Sequence, residues 1–225
     1  MGNVNPKPVI LVTGTLREAA LVKEPGIVAI AGGSSPARLV SELREAAPGA
    51  AGIISFGMGG AIDRYLKLGD IVIGSRLTGD FPCDSDRGWV MALKALLPEA
   101  QVGAIHADGD FFGDMRQKVH RAETSAALAV DMESHIAGAI AAEMGIPFVA
   151  LRCISDVMEV NLPPAIAVAM KPDGGVNYGA VIGSILSQPG QLGQLARTVR
   201  GFAKAYGRFG KALRRVDGRL GFDRR

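Results

Sequence analysis

Short apolar runs alternate with stretches of helical period along most of this chain. Val9 to Val12, Ile27 to Ala31, Ala51 to Phe56, Asp70 to Leu77 and Val102 to Ala107 are runs of strand length bounded by Gly, Pro or polar residues. Between them the period changes. Leu39, Val40 and Leu43 give one face of a helix that Ser35 caps and Pro36 opens. Trp89, Leu93 and Leu96 or Leu97 give a second helix, from Arg87, that stops at Pro98. Leu16 to Val22, Asp114 to Thr124 and Tyr178 to Ser187 complete the helical set. Strands alternating with helices predict an α/β fold: a three-layer α/β/α sandwich around a mixed, mostly parallel sheet covered on both faces.

The most ordered stretch is LAVDMESHIAGAIAAEMGIPFVALRCISD, residues 128–156. Leu128 to Val130 is a short strand ending in Asp131, Met132 and Glu133. Ile136, Ala137, Ile140, Ala141 and Met144 then recur at helical spacing until Gly145 and Pro147 end the helix. Phe148 to Ile154 is a second strand, ending in Ser155 and Asp156. Both acidic turns lie at strand C-terminal ends, the edge where open α/β sheets bind ligands. A single acid there could be a helix cap; the pair points to function.

At 225 residues with 48% hydrophobic positions and 30 Gly, the chain has the profile of a compact α/β protein with a large core. Cys83 and Cys153 lack metal-ligand or CxxC spacing, and His106, His120 and His135 are scattered. A disulfide framework and a metal site are therefore not expected, and a cytoplasmic setting is. No signal peptide or spanning segment is apparent. The net charge is +3, but residues 190–225 carry ten Lys or Arg against two Asp, which leaves the rest at about −5. In that tail Leu192, Leu195, Val199, Phe202, Tyr206, Phe209, Leu213, Val216 and Leu220 form one apolar stripe. Arg197, Arg200, Lys204, Arg208, Lys211, Arg214, Arg215 and Arg219 occupy mostly the other positions. The expectation is a catalytic domain over 1–188 and a basic amphipathic tail over 189–225. The tail either docks on its own subunit or lies through 190–220 at the inner face of a membrane. Nucleic acid is not an expected partner, because the aromatics sit in the stripe rather than among the charges.

VDMES followed by RCISD is similar to the paired signatures of the purine nucleoside phosphorylase and methylthioadenosine nucleosidase superfamily. DMESH and Asn161-Leu162-Pro163-Pro164-Ala165 resemble one branch of it, the hopanoid-associated phosphorylases. The resemblance covers roughly Val9 to Ile185. It implies that Glu133 binds a ribose diol and stabilises positive charge on the sugar, with Met132 packed against the ribose beside Asp131. It implies that Asp156, oriented by Ser155, protonates the departing purine. Gly109, Asp110 and Phe112 match a turn whose aromatic ring stacks on the base, leaving Phe111 as a core residue. Asp84, Asp86 and Trp89 are candidates for the rim of a substrate mouth.

Gly57-Met58-Gly59-Gly60, after a strand, is read as a turn opening a helix, with Gly57, Gly59 and Gly60 offering backbone N–H groups to phosphate or sugar. Gly14, Arg17 and Glu18 leave two chemistries open. Arg17 suits a phosphate-binding arginine of phosphorylases; Glu18 suits the water-activating glutamate of hydrolytic nucleosidases. The resemblance favours phosphorolysis, with inorganic phosphate as co-substrate and no cofactor. It implies adenosylhopane as the nucleoside, ribosylhopane phosphate and adenine as products, and a homodimer or larger assembly. Hydrolysis of a methylthioadenosine-like nucleoside and nucleoside binding without catalysis are the alternatives.

Overall fold

The computed structural model describes residues 6–225. Eight strands, β1 (Val9–Thr13), β2 (Ile27–Ala31), β3 (Gly52–Ala61), β4 (Ile71–Gly79), β5 (Cys83–Asp84), β6 (Gln101–Ala107), β7 (Ala129–Asp131) and β8 (Phe148–Asp156), form one sheet. Eight α-helices surround it: α1 (Leu16–Ala19), α2 (Pro36–Ala46), α3 (Arg87–Leu96), α4 (Met115–Ser125), α5 (Ser134–Met144), α6 (Pro164–Ala167), α7 (Tyr178–Ser187) and α8 (Leu192–Leu213). The sheet is mixed and mostly parallel. β1 pairs parallel with β2 and β3, β3 with β8, β4 with β6, and β6 with β7. The antiparallel pairs are β3–β7, β4–β5 and β4–β8.

Those pairings close on themselves. β3 joins β8, β8 joins β4, β4 joins β6, β6 joins β7, and β7 returns to the far end of β3 at Gly60 and Ala61. The closed portion brings the ends of β3, β6, β7 and β8 round one hollow, which an open sheet would spread along an edge.

Strand alternation divides the core into two layers. Ile10 and Val12 of β1, with Phe148, Ala150 and Ile154 of β8, face α2 and α5. Val9, Leu11, Val149, Leu151 and Cys153 face the opposite layer, built on α3 and α8. The strands are therefore apolar at consecutive positions, as a sheet buried on both faces requires.

The tail does not form a separate unit. Phe209 of α8 stacks on Phe56 of β3 at a centroid distance of 4.7 Å, and Ala205, Leu213, Val216 and Leu220 join the same core layer. Leu220 accepts a 2.8 Å hydrogen bond from the indole of Trp89, which is fully buried and so cannot form a mouth rim. α8 and the segment after it thus pack into the same core layer as β1, β3 and β8. Without α8 this sheet face would expose Phe56 and Leu151 to water, so the later part of the stripe is covered by its own subunit, while Leu192 and Val199 near the start of α8 stay exposed. The sheet also supplies the support that Gly201, Gly207 and Gly210 deny α8 as an isolated helix. The basic face stays outside: Arg197, Arg200, Lys204, Lys211 and Arg214 are exposed. No helix among the described residues is long and apolar enough to cross a membrane.

Candidate active site

The hollow is a cavity of about 250 Å³. Gly14 and Glu18 line one side, Met58 to Gly60 the floor, Val130 to Glu133 and Ser155–Asp156 the strand ends. Asp110, Phe111 and Phe112 come from the loop after β6. Leu162, Ile166 and Met170, with Phe202 and Tyr206 of α8, make an apolar wall. An open cleft of about 420 Å³ on the flank of α8 holds Asp70, Glu99, Arg208 and Arg215. There Arg215 is paired with Glu99 and Arg208 with the Leu68 carbonyl, away from the strand ends.

Glu18 is held inside the cavity by its own turn. Thr15 caps α1, which is only four residues long instead of running to Val22. The Thr15 N–H and hydroxyl donate to Glu18 Oε2 at 2.7 and 2.9 Å, and the Met58 N–H donates to Oε1 at 2.7 Å. Glu18 is only 5% exposed. Arg17, the next residue back, leaves α1 in another direction, because neighbouring helical residues diverge by about 100°. It is exposed, its guanidinium lies 4.3 Å over the Tyr206 ring, and it does not line the cavity.

The glycine segment is corrected as well. Gly57 to Gly60 opens no helix; it is the second half of β3. Gly57 has φ +150°, and a Cβ there would come within 2.6 Å of Glu18 Oε1. Its glycine therefore makes room for a carboxylate, and the adjacent Met58 N–H is already bonded to that carboxylate. A Cβ on Gly60 would approach Asp156 Oδ2 to 3.1 Å, so Gly60 also faces an acid. Gly59 lines the cavity, but a Cβ there would meet the Val130 carbonyl at 3.0 Å.

Glu133 lies across Gly14 from Glu18. A Cβ on Gly14 would sit 2.9 Å from Glu133 Oε1 and 3.4 Å from Glu18 Oε2, so this glycine separates two carboxylates. Burial pushes the Glu133 carboxyl up to about 8, with Asp131 and Glu18 adding repulsion and Arg152 opposing it.

Asp131 lines the cavity, but its carboxylate oxygens are taken up by a support network beneath it. Its side chain is 1% exposed. Oδ1 accepts from the N–H groups of Glu133 (3.0 Å) and Ser134 (2.8 Å), and Oδ2 from the Ser134 hydroxyl (2.6 Å) and Arg152 Nε (2.9 Å). Burial works against its ionisation, but Arg152 and the Ser134 bonds hold it below the usual carboxylate range. Arg152 also donates to Ser55 at 2.6 Å and lies 3.9 Å from Glu133. Ser134 and Arg152 stand inside the VDMES and RCISD motifs without a role assigned to them there, and Ser55 lies outside every motif. The available signal was an arginine inside an otherwise apolar strand, which must be paired if buried.

Asp156 ends β8 with Oδ1 accepting from the Ser155 hydroxyl at 2.8 Å and Oδ2 from Lys118 Nζ at 2.5 Å. Lys118 was likewise missed. Phe112 is buried and edge-on to His106, with Arg121 5.3 Å from its ring centre, while Phe111 is the more exposed of the two. Both line the cavity, so Phe111 is wall and not core. Asp110 sits at the rim with its carboxylate 3.8 Å from Arg121, and Met132 lines the interior. His135 has a buried Nδ1 without a hydrogen-bond partner among the described residues.

Residues 1–166 match the family model of the phosphorylase superfamily. The chain belongs to that superfamily. It is thereby an enzyme of the nucleoside phosphorylase and nucleosidase class. Among solved structures it is similar to the 5′-methylthioadenosine/S-adenosylhomocysteine nucleosidase of Helicobacter pylori, complexed with a substituted pyrrolidin-3-ol. The identity is 15% and the TM-score 0.64, over 93% of this chain and 97% of that one. The S-adenosylhomocysteine nucleosidase of Streptococcus pyogenes, in complex with 5-methylthiotubericidin, is 19% identical with a TM-score of 0.59, over 90% and 98%. Helicobacter pylori futalosine hydrolase is 15% identical with a TM-score of 0.57, over 89% and 97%. At these identities the likeness is one of fold. No curated protein matches the chain in sequence.

Proposed function

We propose that this member of the superfamily hydrolyses the N-glycosidic bond of a purine nucleoside, with water activated by Glu18. The observation that carries the reading is the pair of carboxylates, Glu18 and Glu133, facing the cavity across Gly14. Among the described residues lining that cavity there is no lysine or arginine. A phosphate dianion beside the Glu18 carboxylate, with no cation lining the cavity, would be repelled, whereas a water molecule can donate to Glu18 and lose a proton to it.

The remaining roles follow from chemistry at the strand ends. Cleavage passes through a cationic sugar, which Glu133 stabilises while accepting hydrogen bonds from the ribose diol. Phe111 and Phe112 hold the base. Asp156, oriented by Ser155, delivers a proton to the leaving purine, whose C1′–N9 electron pair would otherwise be expelled as an anion. The apolar wall of Leu162, Ile166, Met170 and Phe202 suits a large apolar substituent at the 5′ end of the sugar. Adenosylhopane, the substrate the resemblance implies, is a nucleoside of that kind.

Phosphorolysis is the second reading, and Arg17 favours it. Its guanidinium lies 4.3 Å over the ring of Tyr206, a residue that lines the cavity. Adenine release from 5′-alkylthioadenosines, measured with and without phosphate, separates the readings. Release independent of phosphate supports hydrolysis, and release that requires phosphate overturns it in favour of phosphorolysis. Tight nucleoside binding with no release under either condition would leave a binding protein and overturn both.

A further inference from the structure

Lys118 is the only buried residue of α4, a helix whose other positions are partly or fully exposed. Its side chain is 0% exposed. A lysine so placed needs a strong reason, because removing an ammonium from water is costly unless each N–H is matched. Here all three are: Nζ donates to Asp156 Oδ2 at 2.5 Å and to the carbonyls of Val157 and Val160 at 3.1 Å each. The ion pair meets the cavity only through Asp156, which lines it; Lys118 does not.

This creates a difficulty for a plain general acid. Both Asp156 oxygens accept hydrogen bonds, Oδ1 from Ser155 and Oδ2 from Lys118, so neither has a proton to give. The ammonium, however, does have one, and its hydrogen bond already points at Asp156 Oδ2. We propose that Lys118 is the proton reservoir behind Asp156. It acts through that residue as a positioning group without touching the substrate. The inference rests on Asp156 being the acid that faces the purine.

In the ground state the ammonium fixes the carboxylate against Ser155. As the C1′–N9 bond breaks, its electron pair passes to the purine, Lys118 Nζ gives a proton to the Asp156 carboxylate, and the carboxyl so formed gives one to a ring nitrogen. Asp156 ends as the carboxylate it began as, and Lys118 is left as a neutral amine on two carbonyls. Water adds at C1′ and gives its proton to Glu18. After the products leave, solvent entering through the Asp156 side of the cavity returns one proton to Lys118, and Glu18 releases one. The sum is nucleoside plus water to purine plus free sugar.

Few other charges bear on the pair. On α4, Asp114 caps the helix and Arg121 is paired with Asp108. From β6, His106 is paired with the same Asp108. From β8 and the loop behind it come Asp156 and two carbonyls. Glu133 faces the same cavity and is common to all variants below, so the comparison is between profiles.

The test is the pH profile of kcat/KM for adenine release by the wild type, Lys118→Met, Lys118→Arg and Asp156→Asn. In the wild type the working proton belongs to the Lys118–Asp156 pair. In Lys118→Met the working proton is the Asp156 carboxyl's own, so the alkaline limb is expected to move down by more than about one pH unit. Lys118→Arg keeps a charge whose proton is not given up, so kcat is expected to fall at least about tenfold with KM within about threefold. A Lys118→Met profile lowered at every pH with its limb unmoved would overturn the relay, as would wild-type kcat in Lys118→Arg. Should one variant fail to fold by circular dichroism, the other decides. Full turnover in Asp156→Asn would overturn the acid itself and the relay with it. A dead Asp156→Asn with an unmoved Lys118→Met limb would sink the relay alone.

Discussion

Replacing Glu133 with Gln separates what this residue does for catalysis from what it costs the fold. Its carboxyl is raised to about 8 from an ordinary 4.5, first by burial and then by Asp131 and Glu18. The sign follows from proton counts. Between those two values the native state holds a proton that the unfolded chain has released, so stability falls as pH rises through the window. At about 1.4 kcal/mol per pH unit, the penalty relative to a neutral glutamine is near zero at pH 4.5. It reaches about 2 kcal/mol at pH 6 and on the order of 4 kcal/mol at pH 8 and above. The carboxylate keeps 12% of its surface open to the cavity, and water there makes these upper figures. Arg152 is not orphaned in the variant, because Asp131 remains bonded to it. Glu133→Gln should therefore match the wild type in thermal unfolding near pH 4.5 and exceed it by roughly 8–16 °C at pH 8.5, while adenine release nearly vanishes. Calorimetry across pH checks it. A stability gap that is constant with pH, or that favours the wild type above pH 8, would refute the burial argument.

Three further outcomes are expected. Glu18→Gln should lower kcat by about 10²–10⁴ with little change in KM, because it removes the base and keeps the shape; unchanged turnover would remove Glu18 from the chemistry. Phe209→Ala should destabilise the protein by about 3–5 kcal/mol in urea unfolding, as loss of a core ring does, and a cost within error would mean α8 is not part of the core. The exposed basic face of α8 remains a candidate membrane contact. Anionic liposomes should retain the protein at low salt and release it at high salt, and charge reversal at Arg197, Arg200 and Lys204 should abolish retention. Pelleting that ignores both would end that proposal.

Much of the architecture is local and was therefore legible in the chain. Apolar runs bounded by Gly and Pro located the long strands, and the 3.6-residue period located α2, α3, α5 and the α8 stripe. The acids at the ends of β7 and β8 followed from the same periodicity, since a strand's end is a property of its own sequence. What lies across from a residue is not. Arg17 and Glu18 are equivalent as neighbours in sequence; α1 turns one onto Tyr206 and the other onto the Met58 N–H, and only the packing of β1, β3 and α8 decides which. The stripe on α8 announced a partner without naming it, and the uncovered face of the sheet supplied one. Gly57 reads as a turn until the distant carboxylate of Glu18 fills the space beside it. Lys118 is the extreme case. In a polar helix a lysine signals solvent, and nothing local distinguishes it from Arg116. It becomes a buried partner of Asp156 because the sheet closes and draws α4 over the end of β8, a juxtaposition that exists only in three dimensions.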